Sequence, residues 1–235
     1  MKLTVMKETS FRIVMAMLLL TGGLQAQATY SLDGRVRSTG RGLPGVPVTI
    51  TRLADTPDDR RLLTRVVLTD AAGVYTISNL PAGNYRVCPE MPRSQYLSPC
   101  AWGPRWPTVR VSGRDLTGKL DVNMDRGTLV VMKVTDQDGE LSRNPDKRDA
   151  LELGCKGGRG ETVAAWEQLK IGAVRYYTVV VPRGSAQELV MRSSVGNIEH
   201  DNAGSRRAVT DGAPLSLTAG AGEEAREISL VVRKK

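Results

Sequence analysis

The residues able to do chemistry are few. The chain holds three cysteines and one histidine in 235 residues. A single imidazole, His200, removes every site that needs two or three histidine ligands. Glu199-His200-Asp201 runs into Asn202-Ala203-Gly204 and reads as a solvated turn. No Gly-x-Ser-x-Gly elbow is present to complete a serine nucleophile for it. Cys155 sits in Leu153-Gly154-Cys155-Lys156-Gly157-Gly158-Arg159-Gly160. Lys156 and Arg159 would lower its pKa if the thiol were exposed. It has three fates: pairing between molecules, nucleophile, or a buried free thiol at a strand end, which is preferred. The glycine-rich run is not a phosphate loop, because its lysine precedes the glycines and no Ser/Thr follows it. Asp136-x-Asp138-Gly139-Glu140 opens like a calcium loop, yet only Asp146 and Asp149 follow soon after, so an Asp-Gly hairpin turn explains it more economically. The expectation is no catalytic residue, no metal and no cofactor. The rival reading is a hydrolase using Cys155, or a serine with His200, in the second half of the chain.

A different chemistry gathers between Cys88 and Trp106. This stretch carries four prolines, three of them between its two cysteines, and two of the chain's three tryptophans. Tyr96, Trp102 and Trp106, with Arg93 and Arg105 beside them, are the candidate ligand-binding residues, an aromatic surface on which a sugar or a partner side chain would stack. The competing reading is that they cap the open end of a sandwich as a minor core, since tryptophan is usually well buried. The expected disulfide is Cys88–Cys100, which flanks one loop, with Cys155 left over.

The elements around that loop are short strands. Val46, Val48 and Ile50 alternate with Pro47 and Thr49, and Tyr75 and Ile77 alternate with Val74, Thr76 and Ser78. Period-two alternation puts one face on a core and the other in water. Pro44-Gly45 and Pro81-Ala82-Gly83 supply turns, and Asp70 to Gly73 reads as the loop of a hairpin. Ala54 to Arg61 is an exposed loop. Thr108–Val111 and Leu120–Met124 return to strands.

Four segments in order, Gly34-Arg35-Val36, Leu43-Pro44-Gly45-Val46, Thr69-Asp70-Ala71-Ala72-Gly73-Val74-Tyr75 and Leu80-Pro81-Ala82-Gly83-Asn84-Tyr85, resemble the carboxypeptidase regulatory-like domain of bacterial secreted proteins over residues 30–126. The resemblance implies a transthyretin-like (prealbumin-like) β-sandwich with a carbohydrate-binding-like fold, used as an accessory module in varied hosts. It also implies that the Cys-plus-aromatic insertion is a family marker. Tyr85 resembles a tyrosine corner, its hydroxyl bonding backbone upstream while its ring packs.

Beyond Gly127 the pattern continues as strands at Leu129–Val134, Tyr176–Val181, Glu188–Val195, Leu215–Leu217 and Ile228–Val232, separated by turn residues. Glu161–Leu169 fits a strand or one short helix, and the β surroundings favour strand. The expected fold class is all-β. Residues 29–126 form one sandwich, and 127–235 form a second, Ig-like or a related Greek-key sandwich.

Residues 1–28 read as a signal peptide: Lys2, Lys7 and Arg12, an apolar run Ile13–Leu20 too short to span a bilayer, and Ala26-Gln27-Ala28 before the cut. They carry three basic and one acidic side chain, so removing them lowers the net charge from +8 to +6. The remaining positive charge is dispersed, without aromatics interleaved on one element, which argues against nucleic acid. The expected location is periplasmic or extracellular, without stable membrane insertion after cleavage. The expected function is a non-enzymatic binding or structural module whose partner is a polysaccharide or an envelope protein.

Overall fold

The computed structural model describes residues 29–54, 63–112, 117–143, 150–202, 205–209, 215–222 and 224–234. Residues 1–28, expected to be a signal peptide, and nearly all of the 54–61 loop lie outside them. The described chain is all-β, with nineteen strands and two one-turn helices.

The first nine strands build one sandwich. They are β1 (Tyr30–Ser38), β2 (Arg41–Gly42), β3 (Pro47–Arg52), β4 (Thr64–Leu68), β5 (Val74–Leu80), β6 (Gly83–Pro89), β7 (Thr108–Val111), β8 (Thr117–Lys119) and β9 (Val122–Asn123). In one sheet β1 is central: it pairs antiparallel with β5 and β2, and parallel with β8 and β9. The other sheet is antiparallel in the order β4-β3-β6-β7. Alternation decides which side chains meet. Val46, Val48, Ile50, Tyr75, Ile77, Tyr85 and Val87 all point into the core between the sheets, as their spacing predicts. The Tyr85 hydroxyl donates to the Pro81 carbonyl at 2.6 Å, so this residue is a tyrosine corner. Gly45, at φ 66°, takes the left-handed position that its turn requires.

One expectation in this half is corrected. Asp70 to Gly73 does not close a hairpin. It carries the chain from β4 in one sheet to β5 in the opposite sheet. The Asp70 Oδ1 accepts the Ala72 and Val74 N–H groups at 2.8 Å, which shapes a tight turn without dictating which sheet the next strand joins.

The remaining strands are β10 (Thr128–Asp136), β11 (Leu151–Lys156), β12 (Thr162–Ala164), β13 (Trp166–Ile171), β14 (Val174–Val181), β15 (Ala186–Ser193), β16 (Gly196–Asn202), β17 (Ser205–Val209), β18 (Leu215–Thr218) and β19 (Ala225–Lys234). They form a six-stranded sheet, β13-β14-β10-β19-β16-β17, and a four-stranded sheet, β12-β11-β15-β18. Glu161–Leu169 is strand, in β12 and β13, as its surroundings favour. β10 alternates without a break: Thr128, Val130, Met132, Val134 and Asp136 are all buried. Their core partners include Tyr177, Val179, Leu230, Leu153, Cys155, Leu189 and Met191. The two core clusters are composed of residues on opposite sides of Arg126.

Two further readings change here. Glu199-His200-Asp201 is not a turn but the middle of β16, held in register between β17 and β19. Asp136 to Glu140 is not a hairpin turn. The chain passes from β10 into helix α2 (Glu140–Arg143), and the Asp136 carboxylate accepts the Ser142 N–H and O–H, each at 3.1 Å. Its carboxylate is thereby held against the first turn of the helix.

Candidate functional site: the junction groove

The segment after β6 touches both halves of the chain. Its helix α1 (Pro99–Trp102) begins with proline at the first helical position and is tied to β6 by the Cys88–Cys100 disulfide, with Cα atoms 5.6 Å apart. Before the helix, Leu97 N–H donates to Asp125 O and Gly127 N–H donates to Gln95 O, both at 2.8 Å, so the loop is stitched to the connector between the two halves.

The second half docks on the same loop through its glycine-rich run. Gly158 N–H donates to Ala101 O at 3.0 Å, and the Arg159 guanidinium donates to Gly103 O at 3.0 Å and to Cys100 O, while pairing with Glu161. The glycines are required by contact. A Cβ on Gly157 would lie 2.5 Å from Ala101 O, and one on Gly158 would lie 2.3 Å from Trp102 O. Backbone therefore packs on backbone here, which only glycine permits.

An open groove of about 700 Å³ lies at this junction. Its floor is the outer face of the β4-β3-β6-β7 sheet, where Thr51 and Arg86 are register partners and Thr49 pairs with Cys88. Trp106 forms one wall. Arg159, Glu161, Thr162 and Val163 of the second half form the other. The Trp106 ring is 42% exposed and carries the Arg86 guanidinium 4.5 Å from its centroid and that of Arg159 at 5.0 Å. Such stacking fixes the guanidinium planes while leaving their edges free to donate. Val66, 60% exposed on the edge strand β4, pairs with Thr49 and extends the floor outward.

The five candidate residues do not share one surface. Trp106 lines the groove. Trp102 turns the other way and packs on the second core, and Tyr96 packs on the first, with Arg126 over its ring at 5.6 Å. Arg93, in a left-handed turn at φ 59°, and Arg105 are exposed away from the groove. Only Trp106 of the three aromatics lines the groove, because the cores on either side take the other two rings. Arg86, Thr49, Thr51 and Arg159 were missed. Their signal was the alternation itself, which turns Arg86 and Cys88 outward when Tyr85 and Val87 turn in.

The chemistry proposed for the rival reading is not set up at Cys155. Its thiol is fully buried in β11 opposite Val163 and Leu189, and burial pushes its pKa up to about 12, which disfavours the thiolate a nucleophile needs. Among the described residues no cluster of His, Cys, Asp or Glu is arranged to hold a metal ion, and no helix is long and apolar enough to cross a membrane.

Residues 31–95 match the carboxypeptidase regulatory-like domain. No curated protein matches the chain. Among solved structures, the chain is similar to the Bacillus anthracis TIE protein, at 12% identity over 87% of this chain and 34% of that one, with a TM-score of 0.34. A streptococcal ancillary pilin is similar at 16% identity over 89% of this chain and 64% of that one, TM-score 0.41. A shaft pilin from Lactobacillus rhamnosus GG, in a double-mutant form, is similar at 10% identity over 88% of this chain and 98% of that one, TM-score 0.32. The chain spans about a third of the first of these proteins and just under two thirds of the second.

Proposed function

We propose that this chain is an exported, non-enzymatic binding module of two sandwich domains, 29–126 and 127–235, that takes a segment of an envelope polysaccharide in the junction groove. The observation that carries this reading is the groove itself: threonine hydroxyls at 49, 51 and 162 on its surfaces, a partly exposed tryptophan wall, and an open form. Hydroxyl-rich ligands need many modest hydrogen-bond partners on a rigid frame, and the disulfide and the glycine contacts supply that frame. Export is supported by the signal-like pattern of residues 1–28 and by a disulfide, which persists in oxidising compartments. The absence of an activated nucleophile at Cys155 favours binding over hydrolysis.

The test is a glycan array of neutral and acidic envelope polysaccharides, probed with the chain from residue 29 and with Trp106→Ala. Selective binding that falls at least several-fold in the variant, at nearly unchanged melting temperature, supports the reading. Binding equal in both proteins, or none to any glycan, overturns it.

A further inference from the structure

We propose that the groove reads a carboxylate on its ligand through Arg86, so that the partner is an acidic rather than a neutral polysaccharide. This rests on the polysaccharide reading above and adds the chemical class. Arg86 and Arg159 both stack on Trp106, yet they are in different states. Arg159 is committed to Cys100 O, Gly103 O and the Glu161 carboxylate. Beyond its stacking on Trp106, the Arg86 guanidinium has no hydrogen bond or ion pair among the described residues, and its Nε is buried without a partner. A cation that is partly withdrawn from water and left unpaired is unfavourable on its own, and a carboxylate arriving in the fork geometry relieves it. The indole already holds the guanidinium in place, so little side-chain freedom is lost on binding.

The surroundings narrow the ligand further. Glu90 also lines the groove, four residues on from Arg86 and one past the end of β6, where its N–H still donates to Pro47 O. At about 3.3 Å per residue it stands roughly 13 Å from Arg86 along the chain. A densely charged polyanion would meet Glu90 as well as Arg86, whereas a chain with carboxylates separated by neutral sugars places one at Arg86 and hydroxyls against Thr49 and Thr51. The site therefore fits a sparsely carboxylated glycan and disfavours an acidic peptide.

The experiment is calorimetric titration of the chain from residue 29 with hyaluronan tetrasaccharide, in which uronate alternates with a neutral amino sugar, with its methyl ester, with neutral chitotetraose, and with oligoglutamate. Esterification removes the ligand's charge without touching the protein, so the answer does not depend on a variant folding. Arg86→Ala and Arg86→Lys are titrated alongside, with melting temperatures. A charge-assisted pair predicts that esterification or Arg86→Ala weakens binding of the acidic tetrasaccharide roughly ten- to a hundredfold, while Arg86→Lys restores only part. The ester binding as well as the acid, or Arg86→Ala binding as well as the wild type, overturns the assignment. Equal affinity for chitotetraose sinks it too but leaves the polysaccharide reading standing. Oligoglutamate matching the tetrasaccharide overturns the glycan class, and no binding of any saccharide overturns both readings.

Discussion

Replacing both bridged cysteines, Cys88→Ala with Cys100→Ala, isolates what the cross-link contributes. The two residues are 12 positions apart in sequence. Closing a loop of this size lowers the entropy of the unfolded chain by an amount worth about 3 kcal/mol. For a sandwich of roughly 100 residues, each kcal/mol corresponds to about 4–8 °C, so the melting temperature of the first half should fall by about 12–24 °C. A second effect is specific to this structure. Helix α1 presents the Cys100, Ala101 and Gly103 carbonyls to Gly158 and Arg159, so freeing Cys100 loosens the docking of the second half. Differential scanning calorimetry reads the first effect. Amide hydrogen exchange at Gly158, whose N–H is held by Ala101 O, reads the second and should rise well above the rate in the bridged protein. A drop of less than about 4 °C with unchanged exchange at Gly158 would show that the connector and the core hold the loop unaided, and would refute the role assigned to the bridge.

Three further outcomes are expected. Gly158→Ala forces a methyl group against the Trp102 carbonyl, so it should cost about 1–3 kcal/mol and shift tryptophan fluorescence to the red as Trp102 is exposed; an unshifted spectrum and urea midpoint would contradict the contact. Tyr85→Phe keeps the buried ring and removes the bond to Pro81 O, so the urea midpoint should drop by the equivalent of about 1–2 kcal/mol at constant slope. Cys155 should be inert to thiol reagents in the native protein and react once on denaturation. Its folded pKa of about 12 lies above the ordinary value of 9, so its contribution is intact below pH 9 and lost as pH rises toward 12. Tyr75, raised by burial and by nearby Asp121 and Asp33, adds a loss of the same sign beginning near pH 10. Cys155→Ala should therefore flatten the fall of stability between pH 9 and 11, and an identical slope in both proteins would refute the assignment.

Individual strands were legible because their pattern is local. The alternation in β3 and the unbroken one in β10 name the buried side chains directly, and the turn-plus-tyrosine of Leu80 to Tyr85 names its own hydrogen bond. Decisions that depend on distant chain were not legible. Asp70 to Gly73 makes the same turn whether the next strand pairs with β4 or crosses to the other sheet; what anchors the crossing is Thr69, whose hydroxyl donates to Leu43 O and accepts the Val46 N–H. Glu199 to Asp201 is polar enough to read as a turn, yet neighbours on both sides make it a strand. The groove was hardest to see. Trp102 and Trp106 are four residues apart but serve different surfaces, and the glycines at 157 and 158, set aside as a failed phosphate loop, proved to be the contact that brings Arg159 to Trp106.

The two sandwiches share one topological feature with a mechanical meaning. In the first, β1 lies parallel to β8 and β9; in the second, β10 lies parallel to β19 along a register running from Leu129–Ala225 to Asp136–Val232. Each half therefore has its opening and closing strands side by side and pointing the same way. Tension applied at the two ends of either half pulls such a pair lengthwise past one another. The hydrogen bonds are loaded together in shear instead of being unzipped singly, and rupture must break the ladder as a block. Forced unfolding is governed by that barrier and not by equilibrium stability. A chain anchored at one end and loaded at the other would hold its groove open to ligand under strain that would peel apart a sandwich ending in a hairpin.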